Sequence, residues 1–353
     1  MIPMDEKRMK ISKLKNDIHI RLCHICGTHE YTITHKGIRT LLPKNIEVRC
    51  GPGCPVCVTP YSEIDAMIEL AKKGVMICTF GDMLRVPGSE KSLLDAKGEG
   101  FPIKGVYSIF DSITFAKKNP KTEVVHFAVG FETTAPTTAA VLLETLPENF
   151  SIFCSHKLVP PAMKVLVMLE NLKIDGFICP GHVSTIIGID PYRFIAKEHN
   201  IPCVIAGFSA YDVVEAINML IDQINGKKSQ VENQYTSVVH ESGNERARKI
   251  LDAVFDICDV TWRGLGTIPK SGYKIKDTFI AYDAKKKFNI KIKSDKDMPV
   301  GCQCHLVLIG QIYPKECPLF MKKCTPATPV GPCAVSKEGA CYIAMRYGRE
   351  NDF

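Results

Sequence analysis

Apolar positions recur at helical spacing over residues 63–73. Ile64, Met67, Ile68 and Ala71 share one face there, with Thr59 as the expected N-cap and Pro60 at the first helical position. A continuous apolar run at 75–80 follows and reads as a buried strand. The alternation then repeats. Helices are expected over 107–118, 136–145, 161–171 and 191–199, and strands over 123–129, 151–154, 176–179 and 201–206. Residues 212–224 carry the clearest helical stripe, with Val213, Ile217, Leu220, Ile221 and Ile224 on one side. This β-α-β grammar predicts an α/β fold with parallel sheets and helices on both faces.

Four of the strands run into loops that contain glycine: Gly81-Asp82, Gly130-Phe131-Glu132-Thr133-Thr134, Pro180-Gly181-His182 and Gly207-Phe208-Ser209. Ligands of open α/β sheets sit at the carboxyl ends of strands, so Glu132 and His182 are candidate ligand contacts. None of these loops has the spacing of a dinucleotide fingerprint or a Walker loop.

The pattern changes after about Lys227. Residues 226–243 are polar and read as a connection, 244–258 as a helix, and 272–292 as a pair of strands. From Pro299 the chain is rich in loops, proline and cysteine. The expected organisation is two parallel-sheet α/β domains, at 1–120 and 121–235, plus a smaller loop-rich C-terminal domain at 236–353.

Composition adds two things. With 353 residues, 45% of them apolar and 24% charged, the chain can bury a large core without disulfides. The net charge of +7 is spread along it, so Lys285, Lys286 and Lys287 read as a solvated face and no nucleic-acid partner is expected. No apolar run reaches the ~18 residues of a membrane span, and the charged N-terminal stretch lacks the apolar segment of a secretory leader. The expected location is cytoplasmic. Against that background, 16 cysteines stand out. In a reducing compartment, clustered cysteines read as metal ligands or redox thiols.

They form three groups. Cys26-Gly27-Thr28-His29-Glu30 puts a thiol, an imidazole and a carboxylate within five residues, with Cys23 adding a C-x-x-C spacing. It is a candidate for metal binding or thiolate chemistry, with His29 or Glu30 moving protons. Gly51-Pro52-Gly53-Cys54-Pro55-Val56-Cys57 brings two sulfurs within reach of one metal or of each other. Cys50 extends it to C-x3-C-x2-C, the spacing of the cluster loop in radical S-adenosylmethionine enzymes, although Val56 stands where that family has an aromatic. The third group is Cys302, Cys304, Cys317, Cys324, Cys333 and Cys341. Cys317, Cys324, Cys333 and Cys341, widely spaced among prolines and glycines, suit an iron–sulfur cluster better than paired zinc knuckles, and Cys302 or Cys304 could replace one of them. Cys78, Cys154, Cys179, Cys203 and Cys258 lie in apolar segments and read as core.

The three groups in order resemble the hydrogenase maturation family HypD. The match extends to Gly37-Ile38-Arg39, Leu41-Leu42-Pro43, residues 51–60, 80–89, 128–136 and 181–188, and Trp262-Arg263-Gly264-Leu265-Gly266. The resemblance implies a scaffold for building the iron–dicyanide–carbonyl group, Fe(CN)2CO, of nickel–iron hydrogenases. It implies two α/β domains and a third carrying a 4Fe-4S cluster on the C-terminal cysteines. It also implies a small chaperone partner, HypC, and a partner, HypE, that delivers cyanide as a thiocyanate. Cys26, Cys54 and Cys57 would be the essential thiols around the nascent iron, with His29 as proton donor or supporting group. The competing readings are a radical S-adenosylmethionine enzyme built on Cys50, Cys54 and Cys57, and a zinc-stabilised thiol protein.

Overall fold

The structure, a computed structural model, describes residues 10–15, 18–169, 172–292 and 298–349. In chain order its strands are β1 (Ile20–His24), β2 (Ile46–Cys50), β3 (Met76–Phe80), β4 (Ile103–Val106), β5 (Val124–Gly130), β6 (Phe150–His156), β7 (Gly176–Pro180), β8 (Cys203–Ala206), β9 (Val231–Asn233), β10 (Phe255–Trp262) and β11 (Gly266–Ile275). Five strands make one parallel sheet in the order β2-β1-β7-β8-β9. Four make a second parallel sheet in the order β4-β3-β5-β6. β10 and β11 form an antiparallel hairpin. The α/β reading of the chain holds, and a loop-rich, cysteine-bearing C-terminal region follows the hairpin. Every position of β5, β6 and β7 is buried, as for parallel strands covered on both faces.

The sheets interleave along the chain. β1 and β2 join β7, β8 and β9 across the whole of the second sheet. β3 and β4 precede position 120 and pair with β5 and β6 beyond it. Parallel pairing always needs a crossover, and the length of that crossover leaves no mark on local periodicity.

Several local expectations change. β2, β4 and β9 are edge strands, which carry polar residues and so lack a strong apolar signal. β9, expected as part of a polar connection, has no fully buried position. The helix expected over 244–258 is Glu245–Val254, because Phe255 starts β10 opposite Ile275. The strand pair expected over 272–292 lies earlier, and a 3-10 turn, Asp277–Tyr282, and a short helix, Ala284–Lys287, follow it. Pro60 itself caps the helix Tyr61–Lys72, while the Thr59 hydroxyl donates to the Pro55 carbonyl at 2.9 Å and closes the cysteine turn. The helix after β6 is Val159–Met168, and its expected end at 171 lies outside the described residues. No helix of the described residues is long and apolar enough to cross a membrane.

Candidate functional site

In each parallel sheet the strand order reverses once. β1 leads to β2 on one side and β7 to β8 on the other; β3 leads to β4 and β5 to β6. Connections that diverge in this way leave a crevice at the carboxyl ends of the flanking strands. Here both crevices open onto one cleft of about 750 Å³. Ile25 and Cys26 enter it after β1, Pro180 and His182 after β7, Gly81 and Asp82 after β3, and Thr133 and Thr134 after β5. Gly53, Pro55, Val56 and Glu338 also line it.

Cys26 sits in extended conformation at the N-cap of the helix Gly27–His35. It is partly exposed. Burial of its surroundings pushes the thiol up to about 11, opposed by hydrogen bonds from the His29 and Thr28 backbone. The second cysteine loop lies directly on this turn. Gly27 N–H donates to the Gly53 carbonyl at 3.3 Å. A Cβ on Gly53 would overlap the Cys26 nitrogen and the Ile25 carbonyl carbon, which is why glycine stands there. Gly53→Ala is therefore expected to cost about 1–3 kcal/mol by overpacking. Urea denaturation would read the loss, and faster alkylation of Cys26 by iodoacetamide would show the two loops parting.

Cys54 and Cys57 are joined as a disulfide with their Cα atoms 5.3 Å apart. Both are buried, while Pro55 and Val56 between them line the cleft. Cys50 does not join them. Its ligand atom and those of His24 and Glu30 lie within 4.8 Å of one another. Two thiols of the C-x3-C-x2-C run are thus bonded to each other and the third stands beside His24 and Glu30, an arrangement that gives no support to a three-thiol cluster loop.

His29 is turned away from the cleft. Its Nε2 is 2.9 Å from the Gly207 carbonyl oxygen, and burial lowers its pKa to about 3, so the ring is neutral at pH 7. Its ring is linked to the cleft through Phe208, which stacks with His29 at 4.9 Å and with the cleft residue His182 at 3.9 Å. The Gly207-Phe208-Ser209 loop therefore backs the site, while the other three glycine-containing loops line it. Glu132 lies among them but points inward. Its Oε1 accepts from the Val159 N–H at 2.9 Å, and burial raises its pKa to about 8.

Glu30 anchors the helix that carries Cys26. Its carboxylate receives Arg39 Nη1 at 3.1 Å, Arg39 Nη2 at 2.7 Å and the Thr34 hydroxyl at 2.8 Å, and lies 2.7 Å from His24 Nε2. Burial opposes ionisation, but Arg39 and His24 outweigh it and hold the carboxyl well below the usual range.

The C-terminal cysteines gather at a cavity of their own. Cys302, Cys304, Cys317, Cys324 and Cys341 line a single small cavity of about 10 Å³, and the Cys333 thiol meets those of Cys304 and Cys341. The structure brings together six thiols, the expected four and both alternates. Leu319, Phe320, Ala334 and Met345 fill the remaining wall, and Val330 N–H donates to Cys324 Sγ at 3.4 Å. Soft donors in a dry pocket with an N–H···S bond fit an iron–sulfur cluster. Cys54 and Cys57 share one continuous apolar core with Cys302, Cys304, Cys324, Cys333 and Cys341.

Glu338 and Asp82 also line the cleft, and no motif along the chain marks either as chemistry. Glu338 was visible only as part of the cysteine segment. Partial enclosure and then the charge of Asp82 raise its carboxyl above the ordinary value.

Comparisons with known proteins agree with one another. A family model described as "HypD: Hydrogenase formation hypA family" matches residues 4–348. A hydrogenase maturation factor HypD2 of Bradyrhizobium diazoefficiens is 45% identical over 344 residues, covering 94% of this chain and 90% of the relative. The hydrogenase maturation factor HypD of Rhizobium leguminosarum bv. viciae is 46% identical over 336 residues, covering 92% and 87%. That of Azotobacter vinelandii is 42% identical over 341 residues, covering 94% and 90%. With the family match spanning nearly all of the chain and these relatives more than 40% identical along most of their length, this protein belongs to the HypD family of hydrogenase maturation factors.

Proposed function

We propose that this protein is a scaffold and electron relay on which the Fe(CN)2CO group of nickel–iron hydrogenases is assembled, working with partner proteins and not as a free-standing catalyst. One observation carries the reading. Cys26 opens on a cleft whose wall covers a buried disulfide, and that disulfide shares its core with the C-terminal cysteines. Iron is the cargo. Cys26, with Cys54 and Cys57 once reduced, offers soft thiolate donors suited to low-spin iron with strong-field ligands.

Cyanide would arrive as a thiocyanate on a HypE-type carrier, with a HypC-type chaperone as the second partner. Its release needs two electrons. The carrier's S–C bond breaks, the carrier sulfur leaves as a thiol, and cyanide passes to the iron. Cys54 and Cys57 give up two electrons and two protons as their S–S bond forms. One proton goes to the carrier sulfur. Glu338, at the cleft wall beside Cys26, takes the other. A 4Fe-4S cluster held by four of the six C-terminal cysteines would supply, when bound, the single electrons that reopen the disulfide.

Mössbauer spectroscopy tests this on iron-57 protein prepared without oxygen, comparing wild type with a Cys50/Cys54/Cys57 triple alanine variant. The four-iron signal is expected to persist in the variant while low-spin iron with diatomic ligands disappears. Loss of the four-iron signal with those three thiols would move the cluster to the N-terminal loop and favour radical chemistry.

A further inference from the structure

We propose that Val300, Met321, Lys322 and Lys323 form the docking face for an acidic one-electron donor, a small iron–sulfur protein that feeds electrons to the C-terminal cysteines. The proposal rests on the reading that those cysteines hold a cluster which reopens the Cys54–Cys57 disulfide.

Leu319 and Phe320 stand between the thiol cavity and solvent. Both line the cavity, and both are only half-buried. The chain turns sharply beyond them. Cys324 N–H donates to the Leu319 carbonyl at 2.9 Å, and Met321 N–H donates to the Cys324 carbonyl at 3.0 Å. Met321 stands at the tip of this turn with a φ of +54°, where any residue but glycine is strained. The turn leaves its long apolar side chain 55% exposed. Val300, two residues before Cys302, is 100% exposed. Its neighbour Gly301 packs on the same wall, since a Cβ there would lie 3.6 Å from Leu319 Cδ2. Two exposed apolar side chains therefore flank the outer side of the thiol cavity.

The charge around them has one sign. Lys322 and Lys323 follow Met321 directly and are exposed. From Met298 to Lys337 the only acidic residue is Glu316. Its carboxylate accepts from the Tyr313 N–H at 2.6 Å and lies 3.8 Å from Arg49. Exposed apolar side chains beside charges of one sign fit a partner of the opposite sign. Two such side chains make a small patch, and transient redox encounters use the smallest interfaces, guided by charge. An electron entering here crosses one layer of side chains to reach the thiols. Each encounter oxidises the donor by one electron and reduces the cluster by one. Two encounters supply the two electrons that, with two protons from solvent, open the Cys54–Cys57 bond.

The test uses the full-length protein purified without oxygen, its cluster in place, and an acidic two-cluster ferredoxin as the probe. Calorimetry with oxidised ferredoxin gives a Kd without any turnover. Stopped-flow absorbance with reduced ferredoxin gives the rate of electron transfer. Lys322→Glu/Lys323→Glu is expected to weaken binding and slow transfer by at least about tenfold at about 0.01 M salt, with little difference left at about 1 M. Val300→Ser/Met321→Gly removes the apolar tips and relieves the strained residue, so the fold is kept. It is expected to weaken binding by at least about fivefold. The control is Lys117→Glu/Lys118→Glu, which changes the net charge as much as the first variant does. It lies in the last turn of the helix Ile109–Lys118, which leads to the amino end of β5, and is expected to stay within about threefold of wild type. Dithionite, a small reductant that needs no docking face, should reduce the cluster alike in all four proteins. If either face variant binds and accepts electrons as the control does, the proposal is overturned. It is also overturned if wild type neither binds the ferredoxin nor is reduced by it while dithionite does reduce it. If dithionite finds no cluster in wild type, the cluster reading itself fails, and the proposal falls with it.

Discussion

Cys26→Ser is expected to give a folded protein that matures no hydrogenase. Serine is nearly isosteric, and it is among the preferred residues at a helix N-cap, the position Cys26 holds. The helix Gly27–His35 should therefore be as stable as in wild type or more so. What is lost is the soft donor, since a hydroxyl neither ionises near neutral pH nor matches low-spin iron. Even supporting groups around a metal are worth about 10–100-fold, so loss of a ligand should lower hydrogenase activity in cells by at least about 100-fold. The purified variant should lack infrared bands of cyanide and carbonyl while keeping its cluster. Normal bands would remove Cys26 from the iron. The wild type carries a related signature. Because burial holds the Cys26 thiol near 11, iron binding must displace a proton at neutral pH. Affinity for ferrous iron should rise with pH below that value, by up to about tenfold per unit for each thiol that ionises on binding. Titration at pH 7 and pH 8 would show it.

Arg39→Met is expected to destabilise the protein by about 3–5 kcal/mol, because it removes the guanidinium from the buried Glu30 carboxylate and leaves it with His24 and the Thr34 hydroxyl. The pH dependence gives the sign. In wild type the Glu30 carboxyl is held low. Its contribution is complete above the unfolded carboxyl value of about 4.3 and is lost only as pH falls towards the folded one. Without Arg39, burial pushes the carboxyl upward instead, and stability is then lost as pH rises through the new value. The difference between wild type and variant should therefore be widest near pH 7 and shrink towards pH 4. Urea denaturation followed by the fluorescence of Trp262, the only tryptophan, would measure it. A gap that stays constant over that range would mean that Arg39 contributes packing and not charge.

Both predictions concern the same small structure. Glu30 and Arg39 hold the helix to β1 and β2, and the helix presents Cys26 to the cleft. Arg263 holds the neighbouring loop from the opposite side of the chain. The cleft is thus braced by residues that do not line it, and losing any one brace should be felt at the thiols.

Much of this was legible in the residues. The alternation of periods is a local property, so helices and buried strands in the middle of the chain announced an α/β fold. Cysteine, glycine and proline are chemically distinctive, so the thiol groups and the strand-end loops could be picked out, and three of the four loops do line the cleft. Other features depended on distance in space. β1 and β7 lie about 150 residues apart, and only their pairing places Cys26 opposite His182. The same folding turns His29 inward, although it is three residues from Cys26, because one helical turn carries it round to the carbonyl of Gly207. It sets Cys50 beside His24 and Glu30 and outside the Cys54–Cys57 bond, and it gathers five C-terminal thiols around one cavity with Cys333 against two of them. Residue chemistry and period are written along the chain and can be read there. Which side chains meet is set by crossovers and packing between distant segments, and only the tertiary structure decides that.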